Sequence, residues 1–470
     1  MNGQRRPGRH HGVRGVSRAG LILLIVAAAC MAGLAMVPPP ADAAVSGQQL
    51  WYRVYNGPGN AADTPSALAV SPTGKYLYVV GDVTPTGSSN SDIGIVKYKA
   101  GGTRVWKRTW GGAAHDVDRA FAVVCDANGN VYVAGSTKKA SGTDFVLIKY
   151  SSSGVRRWVR TWDGPSHGND SAVALAVDAD RNVYAAGYAY VAATGTDAAL
   201  VKWTQAGKRA WAKTYPSAGA DTFDCVVVDK ARRRVFAAGG DGTASTRNWL
   251  VVRHNLGGKR VWASSVGDPG TYFQTASMAL TPGGAVIVGG SSDDGATIAS
   301  SDGRLGRWTA AGTYVWGTCY LGDGSGYDAI EDVAVDREGN VAAVGMTRRS
   351  GGDYDGFVVT YRSDTSLRGN IYVGNAFSDG LTEVAFDRYG NIYTAGKLGA
   401  SVSSSKFWTL KFSRGLALRW QKTKKLNSLA SPDRATDLIV RGGAYPGVYV
   451  TGMAYTAGGS WNWLTLKYKP

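Results

Sequence analysis

A unit of about fifty residues recurs eight times along this chain, and that periodicity restricts the fold more than any other feature. The segment Asp118 to Trp162, DRAFAVVCDANGNVYVAGSTKKASGTDFVLIKYSSSGVRRWVRTW, is matched at nearly every landmark by the next, DSAVALAVDADRNVYAAGYAYVAATGTDAALVKWTQAGKRAWAKTY. A glycine ending the second apolar run marks each copy: Gly81, Gly135, Gly187, Gly239, Gly289, Gly345, Gly396 and Gly452. Every copy holds four alternating runs, A to D, and none shows helical spacing. Run A turns through sequences such as DANGN into run B, where Gly129, Gly339 and Gly390 suit a hairpin that needs positive φ. A turn centred on Gly154 or Gly207 joins run C to run D, which carries Trp106, Trp158, Trp211, Trp262, Trp316 and Trp420. The seventh D run departs, with Ile371 in place of Trp. Four strands per unit, repeated, predict an all-β chain folded as a single eight-bladed β-propeller of four-stranded blades.

The phase of the repeat predicts how the ring closes. A D run, LWYRVYNG, comes before any A run, and the chain finishes at Lys467-Tyr468 on a C run without its D partner. The N-terminal strand is therefore expected to pair into the last blade and leave no open sheet edge. Composition agrees: glutamate occurs only at Glu331, Glu338 and Glu383, so the acidic charge is nearly all Asp, a residue of turns and strand ends.

The landmarks D-x-x-G-N-V-Y-V-x-G, D-F-x-x-x-K-Y and G-x-x-x-W resemble the bacterial secreted propeller repeats of the SBBP type. That resemblance implies the fold and no single activity; its name implies seven blades, whereas eight copies are present here. Runs such as YSSSGVRRW are also similar to the docking motif of eight-bladed quinoprotein-like propellers, where the Trp packs between blades. The vicinal cysteine pair of quinoprotein dehydrogenases is missing, so no quinone and no other cofactor is expected.

Residues 1–44 read as a signal peptide: Arg5, Arg6, Arg9, Arg14 and Arg18, an apolar run from Leu21 to Val37, then Ala41-Asp42-Ala43 as a cleavage site. Residues 45–470 then form the propeller, secreted or cell-wall associated, monomeric, and without a membrane span once the signal is removed. Retention of the segment as an anchor is the alternative. Cys125, Cys225 and Cys319 fall in three different blades, so no disulfide joins them.

Two carboxylate series recur on the face formed by the D–A and B–C loops. Asp63, Asp118, Asp170, Asp221, Asp328, Asp379 and Asp433 open run A, with Phe273 the exception. Asp92, Asp144, Asp197, Asn248, Asp302, Asp355 and Asn462 open run C, with Lys406 the exception. A residue repeated in nearly every blade serves the blade, capping backbone N–H groups where loop enters strand, and the ring is too wide for one ion to reach seven carboxylates. No metal is assigned. Departures from the repeat are better ligand-binding candidates: His115 and His167 beside Asp118 and Asp170, and the fifth copy's Tyr272, Phe273, Asp293 and Asp294, where an aromatic next to carboxylates suits a sugar or a cation.

Part of the net charge of +17 leaves with the signal segment; the remaining Lys and Arg concentrate around the C–D turn and run D, in RVWKRTW, VRRWVRTW, KRAWAKTY and RWQKTKK, which predicts a basic rim. Such a rim blunts strand edges and also attracts anionic surfaces. With uniformly short loops and no nucleic-acid motif, the expected function is a non-catalytic binding or scaffold module for an anionic wall polymer, a glycan or a surface protein. A carbohydrate-active hydrolase or lyase using the loop-face mouth is the alternative.

Overall fold

The structure, a computed structural model, describes residues 47–470 apart from 114–115, 218, 244–245, 269, 294–300, 321–325, 350–351, 402 and 428–430. His115, Asp294 and the N-terminal 44 residues therefore lie outside the described residues. Among the described residues there are 32 strands and no helix. The first strand is β1 (Gln49–Tyr55). The first sheet is β2 (Thr64–Val70), β3 (Tyr76–Val83), β4 (Asp92–Lys99) and β5 (Arg104–Trp110). The second is β6 (Asp118–Cys125), β7 (Val131–Lys138), β8 (Thr143–Tyr150) and β9 (Arg156–Trp162). The third is β10 (Ser171–Val177), β11 (Val183–Val191), β12 (Gly195–Trp203) and β13 (Arg209–Tyr215). The fourth is β14 (Thr222–Asp229), β15 (Arg234–Gly242), β16 (Arg247–Asn255) and β17 (Arg260–Val266). The fifth is β18 (Tyr272–Leu280), β19 (Val286–Asp293), β20 (Asp302–Trp308) and β21 (Tyr314–Tyr320). The sixth is β22 (Asp328–Val335), β23 (Val341–Arg348), β24 (Tyr354–Tyr361) and β25 (Leu367–Val373). The seventh is β26 (Gly380–Phe386), β27 (Ile392–Ser401), β28 (Ser404–Phe412) and β29 (Leu418–Lys424). The eighth is β30 (Arg434–Arg441), β31 (Gly447–Tyr455) and β32 (Trp461–Tyr468), with β1 as its fourth member. Within each sheet the strands pair antiparallel, and one parallel bridge, Arg247 to Tyr272, ties the fourth to the fifth.

Burial follows the sequence pattern strand by strand. Second and third strands, such as VYVAGSTK and TDFVLIKY, are buried almost throughout because both faces of their sheet are covered. Outer strands such as RRWVRTW are exposed along most of their length. Eight apolar clusters result, each drawn from two successive sheets; one joins Trp51, Tyr449 and Trp463 of the eighth to Leu68, Leu77 and Val79 of the first.

Every first strand carries a bulge against its neighbour, as between Ala120 and Ala122. The landmark glycine sits opposite. A Cβ on Gly135 would come within 1.7 Å of the Arg119 carbonyl oxygen, so this approach admits no side chain. In the fifth sheet Gly290 occupies that place, 1.8 Å by the same measure from Gln274 O, and not Gly289 as the spacing suggested.

Successive sheets are fastened by the tryptophans and by buried lysines. Trp106 packs on Gly154 (φ 84°) of the next sheet and donates Nε1–H to Ser152 O at 3.2 Å; Lys97 Nζ reaches the same carbonyl at 2.6 Å. Trp158, Gly207, Lys149 and the Gln205 carbonyl repeat the arrangement, as do Trp211, Gly258, Lys202 and the Leu256 carbonyl. Where Ile371 replaces Trp, the facing turn has Leu416 at φ 65° in place of glycine, and the turn facing Trp316 has Thr365 at φ 72°.

β1 pairs with β32 from Gln49–Tyr468 to Tyr55–Trp463. The Asp63 N–H donates to Trp461 O, Trp463 Nε1–H to Asp82 O and the Leu68 N–H to Asp437 Oδ2, so the eighth sheet is bonded to the first. The first strand of each sheet touches that of the next, and β30 touches β2. Cys125, Cys225 and Cys319 are free thiols in the second, fourth and fifth sheets.

Candidate functional site

The seven repeated A-strand carboxylates are almost wholly buried. Asp63 accepts the N–H groups of Gly57 (2.5 Å) and Thr84 (2.9 Å), Asp170 those of Gly164 (2.5 Å) and Tyr190 (2.8 Å), and Asp379 those of Asn375 (2.6 Å) and Gly399 (2.5 Å). Each joins the loop entering its sheet to the end of the second strand. Burial raises Asp170 and Asp379 to about 6 against these bonds.

One of these sites is different. Asp144 at the head of β8, Asp163 just after β9 and Asp170 just before β10 each place a carboxylate oxygen within 4.8 Å of the other two. His167, in the same loop, bonds through Nδ1 to Asp163 Oδ2 at 2.5 Å and holds φ at 55°, an uncommon conformation for a residue other than glycine. Burial, then the charge of Asp163, raises Asp144, opposed by Lys139 and His167. Thus His167 and Asp170, both sequence candidates, are brought into one cluster, through the unforeseen Asp163. The signal for Asp163 was available: the other copies hold Asn56, Gly111, Pro216, Gly267, Leu321, Gly374 and Lys425 at that place.

The fifth-copy candidates are arranged otherwise. Phe273 is 5 % exposed and packs edge-on against Trp249 at 5.3 Å, so its ring belongs to the core and offers no stacking face. Tyr272 is half-buried, with the Arg247 guanidinium 5.7 Å from its ring centroid. Asp293 is 9 % exposed at the end of β19.

A second acidic group escaped the sequence reading. Asp332, Glu383 and Asp437 are the residues that follow the bulge in β22, β26 and β30, and they meet where these first strands adjoin. Asp332 accepts from Ser277 Oγ (2.5 Å) and the Val384 N–H (2.8 Å) and shares a side-chain hydrogen bond with Glu383. Enclosure by protein raises all three, Asp332 to about 6 and Asp437 to about 7, and mutual repulsion adds to the rise of Glu383. At neutral pH this group holds protons that an exposed carboxylate would have released.

On the opposite face a shallow depression of about 330 Å³ lies between the fifth and sixth sheets. Its charged lining residues are already engaged, Arg307 with Ser363 O at 2.7 Å and Glu338 with Arg414 at 2.7 Å.

Among solved structures the chain is similar to Sqt1 of Chaetomium thermophilum bound to the N-terminus of the ribosomal protein L10, with a TM-score of 0.56 at 11% identity over 90% of this chain and 100% of that one. It is similar also to the Dos1 propeller, with a TM-score of 0.55 at 10% identity over 91% and 96% of the two chains. At such identities the likeness shows the fold alone: this chain is a β-propeller. No family model matches it, and no curated protein matches it.

Proposed function

We propose that this chain is an exported, non-catalytic binding or scaffold propeller of the SBBP-repeat type, its eight sheets forming one ring closed by β1. The observation that carries the functional reading is the prior engagement of repeated A-strand carboxylates and of the charged groups lining the depression. The A-strand carboxylates described above accept bonds from their own loops, and Arg307 and Glu338 in the depression are bonded within the protein. Every connection between successive strands is nine residues or shorter, too short to add a separate lid. Propellers of this shape hold partners: Sqt1 is bound to the N-terminus of a ribosomal protein.

The surface offered to a partner is the outer rim. Part of its charge is structural, because Arg53, Arg108 and Arg160 donate Nε–H to the carbonyls of Gly102, Gly154 and Gly207 in the next sheet. Arg104, Lys107, Arg156, Arg157 and Lys213 remain exposed on β5, β9 and β13, a basic band suited to an anionic wall polymer. Export rests on the basic, apolar and Ala-x-Ala sequence of residues 1–44. Closure of the ring is supported by the β1–β32 pairing and by the bonds from the eighth sheet to the first.

The test is sedimentation with purified cell walls over a salt series, with soluble sugar measured in the supernatant. Retention that falls with salt, and falls about tenfold in an Arg104→Ala/Lys107→Ala/Arg156→Ala/Arg157→Ala variant, is the expected result. Release of soluble fragments by the protein would overturn the non-catalytic reading, and indifference to both salt and the variant would remove the rim as the binding surface.

A further inference from the structure

We propose that Asp144, Asp163 and Asp170 form a binding site for a divalent cation of the calcium type, built into the junction between the second and third sheets. The site is independent of the proposed wall binding, since it lies on the loop face rather than the rim. Its geometry suits the ion. Two oxygens bound to one calcium at 2.3–2.6 Å stand no more than roughly 5 Å apart, and the three carboxylates already offer oxygens within 4.8 Å of one another. Three hard, anionic oxygen donors favour calcium over softer metals.

A second observation is the state of Asp144. Its side chain is 7 % exposed, accepts no hydrogen bond and joins no ion pair, although its carboxylate is directed into the cluster. A carboxylate so enclosed and without a partner is costly, and four of the other copies answer it differently. Asn248 and Asn462 are neutral at that place, Asp302 pairs with Arg304 at 3.7 Å, and Asp355 pairs with Arg349 at 3.3 Å. Asp197 is also buried with Oδ1 unpaired, but Pro216 stands there in place of Asp163, so no third carboxylate is supplied.

The junction of the seventh and eighth sheets makes the comparison sharper. There Lys406 stands for Asp144 and Lys425 for Asp163, and the Lys425 ammonium contacts Ser404 Oγ and Ser431 O beside Asp433. The chain supplies its own positive charge at one junction and gathers three carboxylates at the other. His167 acts as a positioning residue: its bond to Asp163 fixes that carboxylate toward the other two, as hydrogen bonds outside a coordination sphere do. Asp163 is exposed, so water can reach an ion bound there, and the expected affinity is that of extracellular modules, Kd of about 10⁻⁴–10⁻³ M.

The experiment is a titration of the purified, metal-stripped chain with calcium chloride by calorimetry, with thermal melting in calcium and in a chelator. One calcium per chain, a higher Tm in calcium, and magnesium bound at least about tenfold more weakly are the expected results. Asp163→Asn, an exposed loop change that leaves the sheets intact, is expected to weaken binding tenfold or more and to abolish the Tm shift. Asp92→Asn, in a copy where Gly111 stands for Asp163, is expected to leave both unchanged. The proposal is overturned by the absence of heat and Tm change up to about 10 mM calcium, by equal affinity for magnesium, or by undiminished binding in Asp163→Asn.

Discussion

At the scale of single residues, the contact between a tryptophan and the following sheet's glycine fixes how closely the sheets approach at six of the eight junctions. A Cβ on Gly154 would lie 2.9 Å from the Trp106 ring, and the residue holds φ at 84°, so two independent penalties oppose any side chain. Gly154→Ala is expected to destabilise the fold by about 2 kcal/mol or more, read from the midpoint of denaturant unfolding. Gly101→Ala, whose Cβ would meet nothing within 4 Å, serves as the control. Asp63, Asp170 and Asp379 act at the same scale by converting loop entries into bonded corners. An unchanged midpoint for Gly154→Ala would mean that the sheets are spaced by something other than this contact.

At the scale of elements, the bulge in every first strand decides what was readable. Alternation, the turn glycines and the D-run tryptophans gave the strands and their order, because a period of two survives in three strands of each four. The bulge inserts one residue into the remaining strand and breaks that period, so nothing in the spacing indicated that Asp332, Glu383 and Asp437 would meet. The fifth landmark was displaced by its Gly289-Gly290 pair, of which Gly290 lies opposite the bulge. Asp163 was missed for another reason: its partners Asp144 and Asp170 are close only through the packing of two sheets. Phe273 was misjudged because sequence does not tell a core aromatic from an exposed one at a loop edge. The half-buried trio carries a pH prediction. Its folded-state values, about 6 for Asp332 and about 7 for Asp437, lie above the value near 4 of an unfolded chain. The folded state therefore binds extra protons between about pH 4 and pH 7, and this contribution to stability grows as pH falls through that window and is lost as pH rises. A Glu383→Gln/Asp437→Asn variant is expected to melt above the parent at pH 7.5, with the difference shrinking toward zero at pH 4.5. A difference independent of pH would show that the group is not protonated in the fold.

At the scale of the whole molecule, the sheets share eight apolar clusters in cyclic order, and the one between the eighth and the first is built like the others. Such a chain rests on its last seam: without β1 the eighth sheet would present the bare edge of β32. Closure is most directly read from native-state amide hydrogen exchange at β1, Gln49–Tyr55, compared with β5 and β9, the equivalent strands of the first two sheets. Protection of β1 matching that of β5 and β9 is the predicted result. Exchange of β1 at the rate of an unpaired terminus, with β5 and β9 protected, would contradict the closed ring.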